Sequence, residues 1–366
     1  MDNLFTIDVN EAFMSRALEL AKKGQGTVSP NPMVGCVLVK DGKIIGEGYH
    51  EVHGGDHAEV SALNNAHEDP SDAIAYVNLE PCCITGKTPP CTEALIQNSI
   101  SEVHVGMLDP NPEINGKGID ALERIGIKVY LGTMKKECER LNRPFMKWVS
   151  TGMPWVIAKV AQTANGYMGM DSNSSSWITG EEARKKSHLL RSKVDAILIG
   201  RHTAEVDDPS LTVREIVGKN PKRVILDTNR VLSFKLNVFQ DKQAETMVLC
   251  SAKRFDRSHT HACQYIPVSE ENGRLSPEHV LRTLAQEGIL SVIIEGGHEV
   301  LKSFYDADLI DEMHVYTASH ELEDAKLKNP IKLSDKWMIV DELSMGKDQL
   351  IISEKGVECL PELLRK

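Results

Sequence analysis

Several absences narrow the class of this chain before any motif is read. No apolar run approaches the roughly 20 residues that a membrane-spanning helix needs; the longest, such as 34–39 and 196–199, fall far short. An excess of positive charge is also lacking. Lys and Arg number 42 against 53 Asp and Glu, a formal net charge of −11, which argues against the broad basic surface that nucleic-acid binding uses to release counterions. A small phosphorylated substrate held by a few local basic residues stays open. Met1, Asp2, Asn3 and Leu4 offer no basic stretch followed by an apolar one, so no secretory signal is expected and the chain reads as cytoplasmic. Internal repeats and low-complexity segments are missing as well. The eight cysteines form no disulfide framework: Cys82, Cys83 and Cys91 cluster, whereas Cys36, Cys138, Cys250, Cys263 and Cys359 show no partner pattern. Clustered thiols in a reducing compartment point to metal.

What is present fits a soluble globular protein of two domains. At 366 residues the chain exceeds one typical domain, and 41% hydrophobic with 26% charged residues lets each half bury a core. Apolar residues at 11–21 recur at helical spacing. Segments 34–40 and 43–49 flank Asp41-Gly42, a hairpin signal. A helix is expected to start near His57, strands at 73–79, 103–107 and 127–131, and helices from Pro89-Pro90-Cys91 and over 118–125 and 135–148. Strands alternating with helices predict an α/β layered domain. Ser150-Thr151-Gly152-Met153-Pro154 supplies the boundary, giving domains 1–151 and 152–366. Beyond it, strands at 155–161, 196–200, 223–227, 246–250, 291–294 and 311–316 with helices at 180–190 and 277–286 predict a second α/β domain. Its sheet reads as mixed, because the late strands 337–340 and 349–353 suit antiparallel pairing.

The chemistry-bearing residues concentrate first in Gly55-Asp56-His57-Ala58-Glu59-Val60, Pro81-Cys82-Cys83 and Pro89-Pro90-Cys91. A catalytic zinc keeps three protein ligands and an open position for water, and one imidazole with two thiolates fills that role. A Glu beside the metal without ligating it takes the water's proton and returns it to the leaving amine. Zinc deaminases share this logic in an H-x-E … P-C-x-x-C pattern. Here eight residues separate Cys82 from Cys91 where that pattern has two. A structural zinc site is the alternative reading, although an adjacent acid/base such as Glu59 has no use there. Cys83 reads as a bystander, its side chain directed away from that of its neighbour. Cys36 reads as core.

Further segments complete a pattern: Pro30-Asn31-Pro32-Met33-Val34-Gly35, Gly46-Glu47-Gly48-Tyr49-His50, Leu79-Glu80-Pro81-Cys82, Gly86-Lys87-Thr88-Pro89-Pro90-Cys91 and Asp109-Pro110-Asn111-Pro112. With these the sequence resembles the bifunctional riboflavin-biosynthesis deaminase/reductase family over almost its whole length, and the long gap ending in Thr-Pro-Pro-Cys is a mark of that family. The resemblance implies a cytidine-deaminase-like α/β/α first domain that deaminates a diaminopyrimidinone carrying ribose 5-phosphate. It implies His57, Cys82 and Cys91 as Zn2+ ligands, Glu59 as proton shuttle, and Asn31, His50, Lys87, Asp109 and Asn111 as substrate contacts. Read without it, Asn31 and Asp109 also suit turn chemistry beside proline, and His50 suits a framework histidine. The chain departs from the family at Cys83-Ile84, where Ser-His is usual, so a polar substrate contact is expected to be missing there.

In the second domain the resemblance rests on Lys159-Val160-Ala161-Gln162-Thr163, Ser175-Ser176-Trp177-Ile178-Thr179, Asp207-Asp208-Pro209-Ser210-Leu211-Thr212-Val213-Arg214 and Ile294-Glu295-Gly296-Gly297. It implies a dihydrofolate-reductase-like α/β domain that uses NADPH to reduce the ribosyl group to ribityl. Ser175, Arg191, Asp207, Leu211, Arg214 and Glu295 are then expected at the substrate. Ala161, Trp177, Thr203 and the run Gly297, His298, Glu299, Val300, Leu301, Lys302 and Ser303 are expected at the cofactor. Gly296-Gly297 between a strand and a helix suits a phosphate at a helix N-terminus, and equally a plain tight turn. Arg191 and Arg214 offer planar forks for a ribose phosphate, and Asp207-Asp208-Pro209 also reads as a turn. A second departure is Asn165-Gly166, where the family often has Asp-Gly, and loss of that carboxylate is expected to weaken substrate placement.

The reading is one chain performing consecutive deamination and reduction on a phosphorylated pyrimidine, with no nucleic-acid or membrane partner. Homo-oligomers are usual in the family. The rival reading is a paralogue with the same fold acting on another pyrimidine, or with one half inactive.

Overall fold

The Asp41-Gly42 turn sets the first structural event, because both residues take left-handed φ (49° and 74°) and so match the twist of the strands they join. Those strands are β1 (Gly35–Lys40) and β2 (Lys43–Tyr49). The computed structural model describes residues 8–85, 89–171, 177–256 and 263–356. They fall into two units divided between Ser150 and Thr151, each considered on its own below.

In the first unit, α1 (Val9–Ala21) starts from Asp8, whose carboxylate accepts from the Asn10 N–H, and buries Met14, Ala17, Leu18 and Ala21. The chain continues through α2 (Ala58–Asn64), β3 (Ile74–Val77), α3 (Cys91–Gln97), β4 (Glu102–Val105), α4 (Lys117–Glu123), β5 (Lys128–Leu131) and α5 (Lys135–Thr151). The sheet order is β2-β1-β3-β4-β5, with β1 antiparallel to both neighbours and β3, β4 and β5 parallel. Leu38, Ala62, Val77, Leu95, Val105 and Leu122 form the centre of its core. Glycine sets the distance between α2 and the hairpin. A Cβ on Gly48 would lie 2.2 Å from the Ala62 nitrogen and 2.6 Å from the Ala58 oxygen, so only glycine lets the helix rest on β2.

The second unit is built on a nine-stranded mixed sheet. Its strands are β6 (Trp155–Gln162), β8 (Ala196–Gly200), β9 (Lys222–Leu226), β10 (Thr246–Ser251), β11 (Gln264–Val268), β14 (Ser291–Glu295), β15 (Glu312–Thr317), β17 (Trp337–Met345) and β18 (Asp348–Lys355). Two small pairs, β7 (Tyr167–Gly169) with β16 (Leu327–Lys328) and β12 (Glu270–Glu271) with β13 (Arg274–Leu275), stand apart from it. The order β11-β10-β9-β8-β14-β6-β15-β18-β17 is parallel through β15 and antiparallel beyond, as the late pair of strands predicted. The central strands β8 and β14 are buried along their whole length, which explains their near-continuous apolar sequences. The helices are α6 (Glu181–Arg191), α7 (Arg201–Asp207), α8 (Asn237–Gln240), α9 (Pro277–Gln286) and α10 (His298–Asp306). Among the described residues, no helix is long and apolar enough to cross a membrane.

Candidate functional site

Three chain segments meet at the first site. His57 is the N-cap of α2, Cys91 opens α3, and Cys82 lies in the loop after β3. Their ligand atoms all lie within 4.8 Å of one another. His57 Nδ1 is 3.1 Å from Cys91 Sγ and 3.6 Å from Cys82 Sγ. Tetrahedral zinc with bonds of about 2.0–2.3 Å places its ligand atoms roughly 3.5–3.8 Å apart, so these donors fit the ion by type and by spacing. Cys83 is not in the set, and Ile84 beside it is exposed.

Electrostatics separates the two thiols. Hydrogen bonds from the Cys91 thiol, from His57 and from the Cys91 backbone N–H (3.3 Å to Sγ) pull Cys82 down to about 4. The proton shared with Cys82, together with burial, pushes the Cys91 thiol up. His57 is raised by its contact with Cys82. Glu59, in the first turn of α2 and 3% exposed, is pushed up to about 7, first by burial and then by the Cys82 charge. A carboxyl that titrates near neutrality is suited to carry a proton in both directions.

Asn31 and His50 form a pair beside this cluster. His50 Nδ1 meets the Asp56 carbonyl at 2.9 Å, so Nδ1 carries the hydrogen and Nε2 accepts from the Asn31 amide at 3.0 Å. Burial lowers the His50 pKa and keeps the ring neutral, and its edge faces His57 with ring centroids 5.4 Å apart. Asp109, buried and raised to about 6 chiefly by burial, accepts from the Asn111 N–H at 2.8 Å, and Asn111 accepts from Glu113 at 3.0 Å. The turn chemistry read from the sequence at Asp109 is therefore present, whereas the Asn31 amide is engaged with His50. Lys87 lies outside the described residues.

Nothing in the sequence marks Glu80 for a role, and the structure supplies one. Its carboxylate accepts four backbone N–H groups: Asp109 (3.2 Å), Gly116 (2.9 Å), Gly118 (2.9 Å) and Ile119 (3.3 Å). It thereby ties the Asp109 loop and the start of α4 to the strand end that carries Cys82.

The second unit holds a cavity of about 500 Å³ above the ends of its central strands. Of the sequence-predicted residues, Ala161, Trp177, Arg191, Thr203, Asp207, Leu211, Arg214 and Glu295 line it. Ser175 lies outside the described residues. Leu211 holds a left-handed φ of 54°, which leucine adopts only under constraint, and it is buried in the cavity wall. Asp208 lines the cavity too, but as the turn residue (φ 39°) it has its carboxylate engaged, accepting from the Asn237 N–H at 2.7 Å.

Three expectations change. The Arg191 fork is not open to a phosphate, because Glu295 occupies it and a further N–H goes to the Thr212 carbonyl at 3.2 Å. Asn165 does not line the cavity. The lining also stops at Gly296, short of 297–303. Within that run Leu301 is core, Lys302 pairs with Asp306, Glu299 with Arg274, and Ser303 donates to the Val300 carbonyl. Gly296 and Gly297 both take left-handed φ (70° and 75°), and a Cβ on Gly297 would lie 3.0 Å from Thr203 Oγ1.

Sequence reasoning missed Lys159, Arg184, Ser187, His188 and Tyr316, all on the cavity wall. Arg184, His188 and Arg191 recur at one-turn spacing along α6, a polar stripe that was legible in principle. His188 accepts from the Arg214 N–H at 3.3 Å and is lowered to about 4, first by burial and then by the two arginines.

Both units match known protein families. Residues 7–107 match the cytidine and deoxycytidylate deaminase zinc-binding region, and residues 154–322 match the RibD C-terminal domain. The chain is 40% identical over 315 residues to riboflavin biosynthesis protein RibD of Bacillus amyloliquefaciens, covering 85% of this chain and 84% of that protein. It is 37% identical over 366 residues to RibD of Haemophilus influenzae, covering 94% and 97%. A crystal structure of a diaminohydroxyphosphoribosylaminopyrimidine deaminase/5-amino-6-(5-phosphoribosylamino)uracil reductase from Thermotoga maritima superimposes with a TM-score of 0.85 at 36% identity, covering 95% of this chain and 99% of that one. The chain belongs to the RibD family, bifunctional riboflavin-biosynthesis enzymes that join a zinc-dependent deaminase to an NADPH-dependent reductase.

Proposed function

We propose that residues 1–151 hydrolytically deaminate 2,5-diamino-6-ribosylamino-4(3H)-pyrimidinone 5′-phosphate, and that residues 152–366 then reduce its ribosyl group to ribityl. The observation that carries the first step is the His57–Cys82–Cys91 donor set with the carboxyl of Glu59 buried beside it. Bound zinc supplies polarisation of a water, and NADPH supplies the hydride. The chain's own residues do the rest. Glu59 accepts the water's proton and delivers it to the departing amine, so that one water is consumed and one ammonia released. Asn31, anchored on the neutral His50, and the loop of Asp109 and Asn111 hold the pyrimidine, with Lys87 as a further contact.

In the second unit Glu295, Asp207, Leu211, Arg214 and Ser175 bind the substrate, the exposed Arg214 guanidinium taking the phosphate. Arg191 acts through Glu295. Ala161, Trp177, Thr203 and the Gly296-Gly297 turn hold NADPH, the two left-handed glycines supplying the close backbone approach a phosphate needs. The net charge of −11 supports a small-molecule partner over nucleic acid. A homo-oligomer in the cytoplasm completes the reading.

The test is conversion of the diaminopyrimidinone by the zinc-loaded chain with and without NADPH. Ammonia is expected in both arms, and one NADPH is oxidised per deaminated molecule in the second. Zinc-loaded protein that releases no ammonia overturns the first step, and failure to oxidise NADPH with the deaminated compound overturns the second.

A further inference from the structure

The floor of the second unit's cavity is a row of side chains from four neighbouring strands: Ile199 on β8, Glu295 on β14, Lys159 on β6 and Tyr316 on β15. The register explains the row. Glu295 pairs with Lys159 across β14 and β6, and Tyr316 pairs with Ala161 across β6 and β15. The charged part of this floor is closed on itself, since Glu295 is held by Arg191 and lies 3.5 Å from Lys159 Nζ.

Tyr316 is different. It is 1% exposed, its ring belongs to a small apolar cluster with Ala183 and Leu350, and Lys159 Nζ lies 5.8 Å from the ring centroid. Among the described residues, its hydroxyl has no hydrogen-bond partner. On α6, Ser187 is 6% exposed, lines the same cavity, and its Oγ is also without a partner among the described residues. Of the buried side-chain polar atoms left unpaired among the described residues, these two belong to the cavity lining. A buried hydroxyl without a partner destabilises a fold, and both oxygens are shielded from solvent, so a ligand that completes them must also displace the wall slightly. Burial and the Glu295 charge push the Tyr316 phenol well above its usual value, so it acts as a donor.

We propose that the Tyr316 hydroxyl, together with that of Ser187 on the same wall, binds the reductase substrate by donating to its uncharged oxygens, the sugar hydroxyls or the pyrimidine carbonyls. The cationic Arg214 at the exposed rim takes the phosphate, which leaves neutral oxygens for the neutral donors on the floor. This assignment rests on the reading of the second unit as the reductase of a phosphoribosylaminopyrimidine.

The test compares wild type with Tyr316→Phe, which keeps the ring, and with Ser187→Ala, in the full-length zinc-loaded chain. NADPH oxidation is measured at saturating NADPH over a range of the deaminated substrate. Each variant is expected to raise KM for that substrate about tenfold, the weight of one neutral hydrogen bond, with KM for NADPH unchanged. The melting temperature without substrate is expected to hold or rise in Tyr316→Phe, while the rise on adding substrate shrinks. A purely structural hydroxyl gives the reverse: a lower melting temperature and an unchanged substrate KM. Tyr316→Phe with wild-type substrate KM overturns the assignment even if Ser187→Ala is impaired. Should the wild type itself fail to oxidise NADPH with this substrate, the functional reading falls and takes the assignment with it.

Discussion

Arg191 grips Glu295 with its guanidinium fork, Nε donating to Oε1 at 2.7 Å and Nη2 to Oε2 at 2.8 Å. The pair closes an ion cluster in the cavity wall, with side-chain exposures of 13% and 7%. A carboxylate held by one arginine and approached by Lys159 stays ionised, so its task is to fix charge and orientation. It is not suited to deliver a proton.

Removing that charge is expected to be costly. Burial alone would raise the Glu295 pKa, but Arg191 and Lys159 outweigh it and bring it from an ordinary 4.5 to about 2. Glu295→Gln leaves two buried cations underpaired, and the shift corresponds to about 3 kcal/mol of stability at neutral pH. Because the folded-state value is depressed, the contribution is fully present above the unfolded value and disappears as pH falls through the folded one. The stability gap between wild type and Glu295→Gln in denaturant melts should therefore be full at pH 6 and close between about pH 4.5 and 2. A gap that persists unchanged at pH 2 contradicts the pairing.

Local chemistry is what the sequence displays most openly. Asp41-Gly42 specifies its turn through two adjacent residues, and His57, Glu59, Cys82 and Cys91 announce a zinc site by type alone. The role of Glu80 is hidden because its four donors come 29 to 39 residues later. Arg191 looks like a free fork until Glu295, 104 residues onward, is brought beside it. Tyr316 has no sequence signal at all, since only the β6–β15 register puts it on the cavity floor. In each case the missing information is a tertiary neighbour.

Glu59 separates holding a metal from using it. Glu59→Gln preserves shape and removes the titrating proton, and none of the three ligand atoms belongs to it. Zinc content by elemental analysis should match wild type, while ammonia release should fall by roughly 10²–10⁴-fold. NADPH oxidation with the deaminated substrate should be unaffected. Retained ammonia release in the zinc-loaded variant rules Glu59 out as proton carrier.

The deaminase geometry also depends on a glycine outside the site. Gly48 admits α2 to within contact of β2, and α2 carries Glu59 with His57 at its cap. Gly48→Ala must push the helix outward, because the new methyl would meet backbone atoms at 2.2–2.6 Å. Overpacking of this kind costs roughly 1–3 kcal/mol. Ammonia release and zinc retention should both drop, with the reductase rate serving as the internal control. Crystals or metal titrations showing wild-type zinc affinity in Gly48→Ala would mean that the helix tolerates the shift.

The family resemblance leads one to expect Asp at position 165, and the structure gives the Asn165 amide its own work. Its Oδ1 accepts from Thr163 Oγ1 at 2.7 Å and from the Leu322 N–H at 3.3 Å, while its Nδ2 donates to the Leu322 carbonyl at 2.9 Å. Only an amide satisfies both the N–H and the carbonyl of one residue in this way. Asn165→Asp replaces the donor by an oxygen facing the Leu322 carbonyl, which should lower stability by about 1 kcal/mol. Since residue 165 does not line the cavity, reductase kcat/KM should stay within about twofold of wild type, the scatter expected of a change away from the substrate. A tenfold or larger gain in kcat/KM for Asn165→Asp would show that a carboxylate here does reach the substrate, and that the clamp on Leu322 is secondary.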